Sequence, residues 1–210
     1  MALSTIGTNS IADDAVGNTK LDLTANYAFT GTITGAGTFN LLQTITASND
    51  ATIAFTSTYL TTTYDLYLIV LNNLQMTVNG ADFYINLSTD NGSNYLSTCS
   101  YVHTNFYDST YRISQATSQS NIRIASSVDG TDSSANRGYV SMNIYLNNPN
   151  NTTTYKGGFT RHAGSDQSGN MQQIRDCNFT SGGTARINNV RFDLNHGNIN
   201  AGTLKLYGVS

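Results

Sequence analysis

Apolar and polar side chains alternate along most of this 210-residue chain. In Val190–Leu194, Val190, Phe192 and Leu194 face one way and Arg191 and Asp193 the other. In Leu204–Tyr207, Leu204 and Leu206 oppose Lys205 and Tyr207. Successive side chains of an extended chain point to opposite faces, so this period of two is the pattern of half-buried strands. The Gly/Asn-rich turn between the two runs predicts that they pair as a closing hairpin. The same pattern predicts strands over Ala81–Ser88, with Phe83, Ile85 and Leu87 inward, and Gly138–Asn147, with Val140, Met142, Ile144 and Leu146 inward. Shorter or weaker runs lie at Leu41–Ile45, Thr52–Thr56, Tyr95–Tyr107, Tyr111–Ile113, Asn121–Ala125, Thr153–Arg161, Met171–Phe179 and Ala185–Leu194. Tyr64–Leu71 is apolar on both faces apart from Asp65, which predicts a central strand covered on both sides.

Between the strands stand turn formers: Asn72-Asn73, Asp90-Asn91-Gly92-Ser93, Asn147 to Asn151 with the only proline, and Ser181-Gly182-Gly183. Two longer polar loops follow from Asp129 to Asn136 and from Ala163 to Asn170. About eight to ten strands at this spacing, with no helical stretch longer than two turns, predict an all-β antiparallel β-sandwich; the long cross-connections favour a jelly-roll-like one.

Residues 1–46 read differently from residues 47–210, which are assigned to the sandwich. Ser10 is a candidate helix N-cap with Asp13 and Asp14 in the turn after it, and Gly17 ends a segment too short to be stable alone. Ile6, Ile11, Val16, Leu21, Leu23, Tyr27 and Phe29 recur without a compact way to bury one another. That points to an extended arm that buries them against another chain, an anchoring and oligomerisation segment.

Composition sharpens the picture. All 13 acidic residues are Asp, and Lys occurs only at 20, 156 and 205. Without Glu and most Lys the usual helix surface is missing, while Thr, Tyr, Asn, Ser and Gly supply strands and turns. A net charge of −3 with 11% charged residues argues against nucleic-acid binding, which needs clustered Lys and Arg, and against docking on anionic lipid. No apolar run approaches membrane-spanning length, and Met1–Ser10 lacks the basic residue and apolar core of a secretory signal. Cys99 and Cys177 read as isolated buried thiols.

Candidate chemistry is thin. The Asp90 and Asp129 turns lack the spaced carboxylates of a calcium loop. His103, His162 and His196 contain no short-range ligand pair, and no serine stands in a nucleophile elbow. The polar run Arg161 to Asp166 lies in a Gly/Ser loop, a poor frame for catalysis. No catalytic, metal or cofactor site is expected. Of the 13 tyrosines, Tyr84, Tyr139, Tyr145 and Tyr207 fall on outer strand faces, where they suit a sugar ring or a protein interface.

Ser10 to Leu21 with Tyr27 to Ile33, and Gly197 to Val209 at the other end, resemble the opening and closing segments of tailed-bacteriophage fibre, appendage and capsid-decoration proteins. Tyr64-Asp65-Leu66-Tyr67 and Leu87 to Tyr95 are similar to hairpins of the same class. The resemblance implies a non-enzymatic virion structural protein, assembled in the host cytoplasm and placed at the virion surface. It implies a homotrimer docked on other virion proteins through its N-terminal arm. The alternative is a module that binds a host-surface glycan.

Overall fold

A computed structural model describes residues 38–107, 110–128, 130, 139–165 and 171–210. They form twelve strands: β1 (Phe39–Thr46), β2 (Thr52–Phe55), β3 (Leu66–Met76), β4 (Ala81–Ser88), β5 (Cys99–Tyr107), β6 (Thr110–Gln119), β7 (Ile122–Val128), β8 (Val140–Asn147), β9 (Gly157–Ser165), β10 (Met171–Thr180), β11 (Asn189–Leu194) and β12 (Ile199–Val209). All strand pairs are antiparallel, and no helix occurs among the described residues.

The strands make two sheets, of eight in the order β1-β12-β3-β8-β9-β10-β5-β6 and of four in the order β2-β11-β4-β7. From β1 to β5 each connection changes sheet, as do those from β6 to β8 and from β10 to β12. The two hairpins β5/β6 and β9/β10 both join the large sheet beyond β8 and roughly double its width. Their inner faces meet β7.

The alternation seen in the sequence dictates which faces meet. Ile69 and Leu71 of β3, Met142 and Ile144 of β8 and Leu204 and Leu206 of β12 are buried from the large sheet. Phe83, Ile85 and Leu87 of β4 with Val190 and Phe192 of β11 are buried from the small one. All belong to one apolar cluster. Phe192 is its aromatic centre, edge-on to Phe55 at 6.3 Å and stacked on Phe83 at 5.9 Å. Asparagine supplies the sharp backbone positions: Asn49, Asn91 and Asn148 in turns and Asn73 within β3 all adopt positive φ, which Asn tolerates better than most residues.

The structure corrects four expectations. The closing pair is not a hairpin: β11 lies in the small sheet and β12 in the large one. The Asn195 amide donates to the Asp82 carbonyl (3.1 Å), and the Asn195 side-chain oxygen accepts from the Asp82 amide (2.8 Å), tying the end of β11 to β4. Asn198 exchanges bonds of 2.9 Å with Thr77, tying the start of β12 to the end of β3. Periodicity reports which residues share a face and is silent about which strand lies alongside.

Asn72-Asn73 is not a turn either. β3 continues through it to Met76 as a bulge, with the register shifting between Leu71 and Leu74 and Asn73 at φ 52°. β3 is central, as expected, but covered on one face only: Leu66, Leu68 and Val70 on its outer face are half-buried. Finally, Phe39–Thr46, read as part of the arm, is the edge strand β1 hydrogen-bonded to β12. β1 therefore belongs to the same compact unit as the other eleven strands.

Candidate functional site

The outer face of the large sheet carries the most distinctive surface. Pairing register aligns one outward residue from each of the eight strands into a row: Leu41, Tyr207, Leu68, Tyr145, Phe159, Asn178, Val102 and Gln115. Directly cross-strand side chains lie about 4.5–5.5 Å apart, close enough to pack. Tyr145 and Phe159 do so, their rings stacked at 4.5 Å with 15° between the planes. Phe159 is 39% exposed. The next row places Asn143, Arg161 and Asp176 side by side on β8, β9 and β10, with Arg161 Nε 3.6 Å from Asp176 Oδ1.

Between these rows lies a shallow cleft of about 330 Å³ bounded by Asn143, Tyr145, Phe159, Arg161, Asp176 and Asn178. A second depression shares Asn178 and continues over Val102 and Gln115. A third shares Asn143 and Arg161 and continues to Val70 and Asn72. Together they form one groove crossing the sheet from β6 to β3.

The outer face of the small sheet is different in kind. Arg123 pairs with Asp82 at 3.2 Å and Arg191 with Asp193 at 2.9 Å. The Arg191 guanidinium also stacks 3.9 Å over the Tyr95 ring, and Asn86 donates to Asp193 at 2.9 Å. These groups pair with one another across β4, β7 and β11, while Arg123 Nε and Arg191 Nε have no hydrogen-bond partner, and the pairs fit a network that fixes the strands.

Tyr84 belongs to this network and donates to Asp82 Oδ2 at 3.3 Å. Its pKa is pushed up to about 12, chiefly by burial and then by the Asp82 charge and hydrogen bond. A phenol whose folded pKa exceeds its unfolded value of about 10 adds stability that is complete below pH 10 and is lost as pH rises through 12. Tyr84→Phe should therefore be less stable than the native chain by about 0.5–1 kcal/mol at pH 8. Urea midpoints should show that difference shrinking between pH 10 and pH 12. A constant difference would mean that the hydroxyl's ionisation is not coupled to folding.

Of the tyrosines singled out in the sequence, Tyr145 and Tyr207 share the long row on the large sheet, with only β3 between their strands, while Tyr84 lies on the other sheet. Tyr139, 41% exposed, sits just before β8 and outside the cleft. Ile6, Ile11, Val16, Leu21, Leu23, Tyr27 and Phe29 lie outside the described residues, as do Asp129 and 131–138. Phe159, Arg161 and Asp176 were not recognised as a set. They come from strands separated by a loop, and only the register brings them together.

The Asp90 turn holds its own carboxylate: Oδ1 accepts from the Asn94 amide and the Ser88 hydroxyl (both 2.8 Å), and Oδ2 from the Asn94 side chain (2.7 Å). These bonds lower the Asp90 pKa. His103 and His162, distant in sequence, both point to the inner face of the large sheet on the strands flanking Cys177. Cys99 and Cys177 are both buried and form no disulfide, and burial pushes the Cys99 thiol up to about 11. No group of three or more His, Cys, Asp or Glu side chains gathers in a metal-binding arrangement among the described residues. No family model matches the sequence, and no curated protein matches it.

Proposed function

We propose that this chain is a non-enzymatic structural protein of a tailed-phage virion, anchored by its N-terminal arm and displaying a jelly-roll domain at the particle surface. The observation that carries the reading is the strand order. Without its two added hairpins, the large sheet is β1-β12-β3-β8 and faces β2-β11-β4-β7. That order supports reading the domain as two interleaved Greek keys, a jelly roll, an architecture frequent in capsid and lectin domains. The low charge and the resemblance at both ends of the chain support the virion assignment. The ion-paired network of the small sheet supports a scaffold role for that face.

In this reading the arm ends before β1, and the homotrimer forms through the apolar residues from Ile6 to Phe29. The full chain and a version starting at Thr38, which keeps β1, separate arm from sandwich. By light scattering the full chain should weigh as a trimer and the shortened chain as a monomer, with thermal midpoints within a few degrees. A shortened chain that stays trimeric would remove the arm from the account. The alternative, a host-glycan module, draws its support from the groove on the large sheet.

A further inference from the structure

We infer that the groove across the outer face of the eight-stranded sheet is a binding site for an extended neutral polysaccharide, centred on Phe159 and Tyr145. This rests on the glycan-binding alternative above, naming its ligand class, and not on the structural role.

Three properties select the ligand. First, the groove is long: it crosses from β6 to β3, five strand spacings of about 4.8 Å, or roughly 24 Å. One sugar ring would leave most of it empty. Second, its charges cancel, because Arg161 is matched by Asp176 at 3.6 Å. A nucleic acid or a strongly anionic glycan would need uncompensated cations. Third, its lining pairs aromatic surface with planar amides. Phe159, 39% exposed, offers a pyranose the apolar ring surface that is not stacked against Tyr145. Asn143, Asn178 and Gln115 are exposed and offer donors and acceptors together, as hydroxyl groups require.

A peptide is a poorer fit. Peptides that bind sheets add to a free edge, using unpaired backbone groups. This groove runs inward from the edge strand β6 across β5, β10, β9, β8 and β3, and those five are each already paired on both sides. Recognition therefore has to come from side chains, and these present amides and ring faces instead of deep apolar pockets.

The test uses the full chain on an array of neutral hexose and N-acetylhexosamine oligosaccharides of graded length, printed beside sialylated and sulfated ones, with titration calorimetry on the best neutral chain. Binding should favour neutral chains, tighten with length and change little with salt. Phe159→Ala should weaken it about fivefold to tenfold. The joint change Asn143→Ala and Asn178→Ala, at two exposed positions that folding does not need, should weaken it to a similar extent. Tyr155→Ala, at a more exposed aromatic outside the groove, should leave it unchanged. No binding of neutral chains at millimolar concentration, a preference for anionic glycans, or unchanged affinity in both groove variants would overturn the inference. A chain that binds no glycan yet still joins the particle would overturn this inference alone and leave the structural role standing.

Discussion

Replacing Phe192 with Ala should destabilise the fold by about 3–5 kcal/mol, the largest effect expected of any single core truncation in this chain. Phe192 is fully buried on β11, the strand that joins β2 to β4 in the small sheet. Its ring is the contact between Phe55 and Phe83, so removing it leaves a cavity lined by two large rings whose strands are held in register on either side. Such a site collapses poorly, and the cavity cost adds to the lost transfer energy. Urea denaturation should show the midpoint falling with the slope unchanged, as expected when stability and not the unfolded ensemble is altered. A loss below about 1 kcal/mol would mean that the two sheets do not meet at this residue.

The second large effect is at Gly182, in the turn that follows β10. It adopts φ +66°, and a Cβ built there would lie 1.9 Å from the Thr98 carbonyl oxygen, a backbone atom that cannot swing aside. Gly182→Ala combines a left-handed backbone with a clash and should cost more than about 2 kcal/mol. The neighbouring Gly183 is the control: a Cβ there meets nothing within 4 Å, so Gly183→Ala should stay within about 0.5 kcal/mol of the native chain. The two variants differ by one position, so thermal midpoints of the pair read the turn geometry directly. Equal midpoints would contradict it. The turn also carries Ser181, whose amide donates to the Lys156 carbonyl at 2.8 Å while its hydroxyl accepts from the Lys156 amide at 3.0 Å. Strain at Gly182 therefore reaches the segment leading into β9.

Strand positions were legible because alternation is a local property. Ala81–Ser88 was predicted with the observed limits, and Phe83, Ile85 and Leu87 point inward as read. Partners were not legible, because register is fixed by contacts distant in the chain. The hairpin expected from Val190 to Tyr207 fails for this reason: Asn195 binds Asp82 and Asn198 binds Thr77, and these bonds draw residues only three apart to opposite sheets. Asn72-Asn73 misled for a related reason, since Asn at positive φ serves a bulge as well as a turn.

The buried cation was missed too. Lys156 is 1% exposed, its ammonium donating to the carbonyls of Thr154 and Thr184, and burial lowers its pKa. A lone lysine in a polar run carries no signal of this. In the candidate site, the outward setting of Tyr145 could be read from alternation within β8. Its partner Phe159 lies fourteen residues away, across a turn, and the Arg161–Asp176 pair spans a further loop. Sequence supplied the face of each residue, and the antiparallel register supplied the constellation.

The central claim is that this is a virion structural protein held on the particle by its first residues. Imaging particles assembled with an epitope-labelled full chain, beside particles assembled with the chain starting at Thr38, tests it most directly. The account predicts label at the particle surface, grouped in threes, for the full chain and none for the shortened one. A full chain absent from washed particles, or a shortened chain that labels them equally, would contradict it.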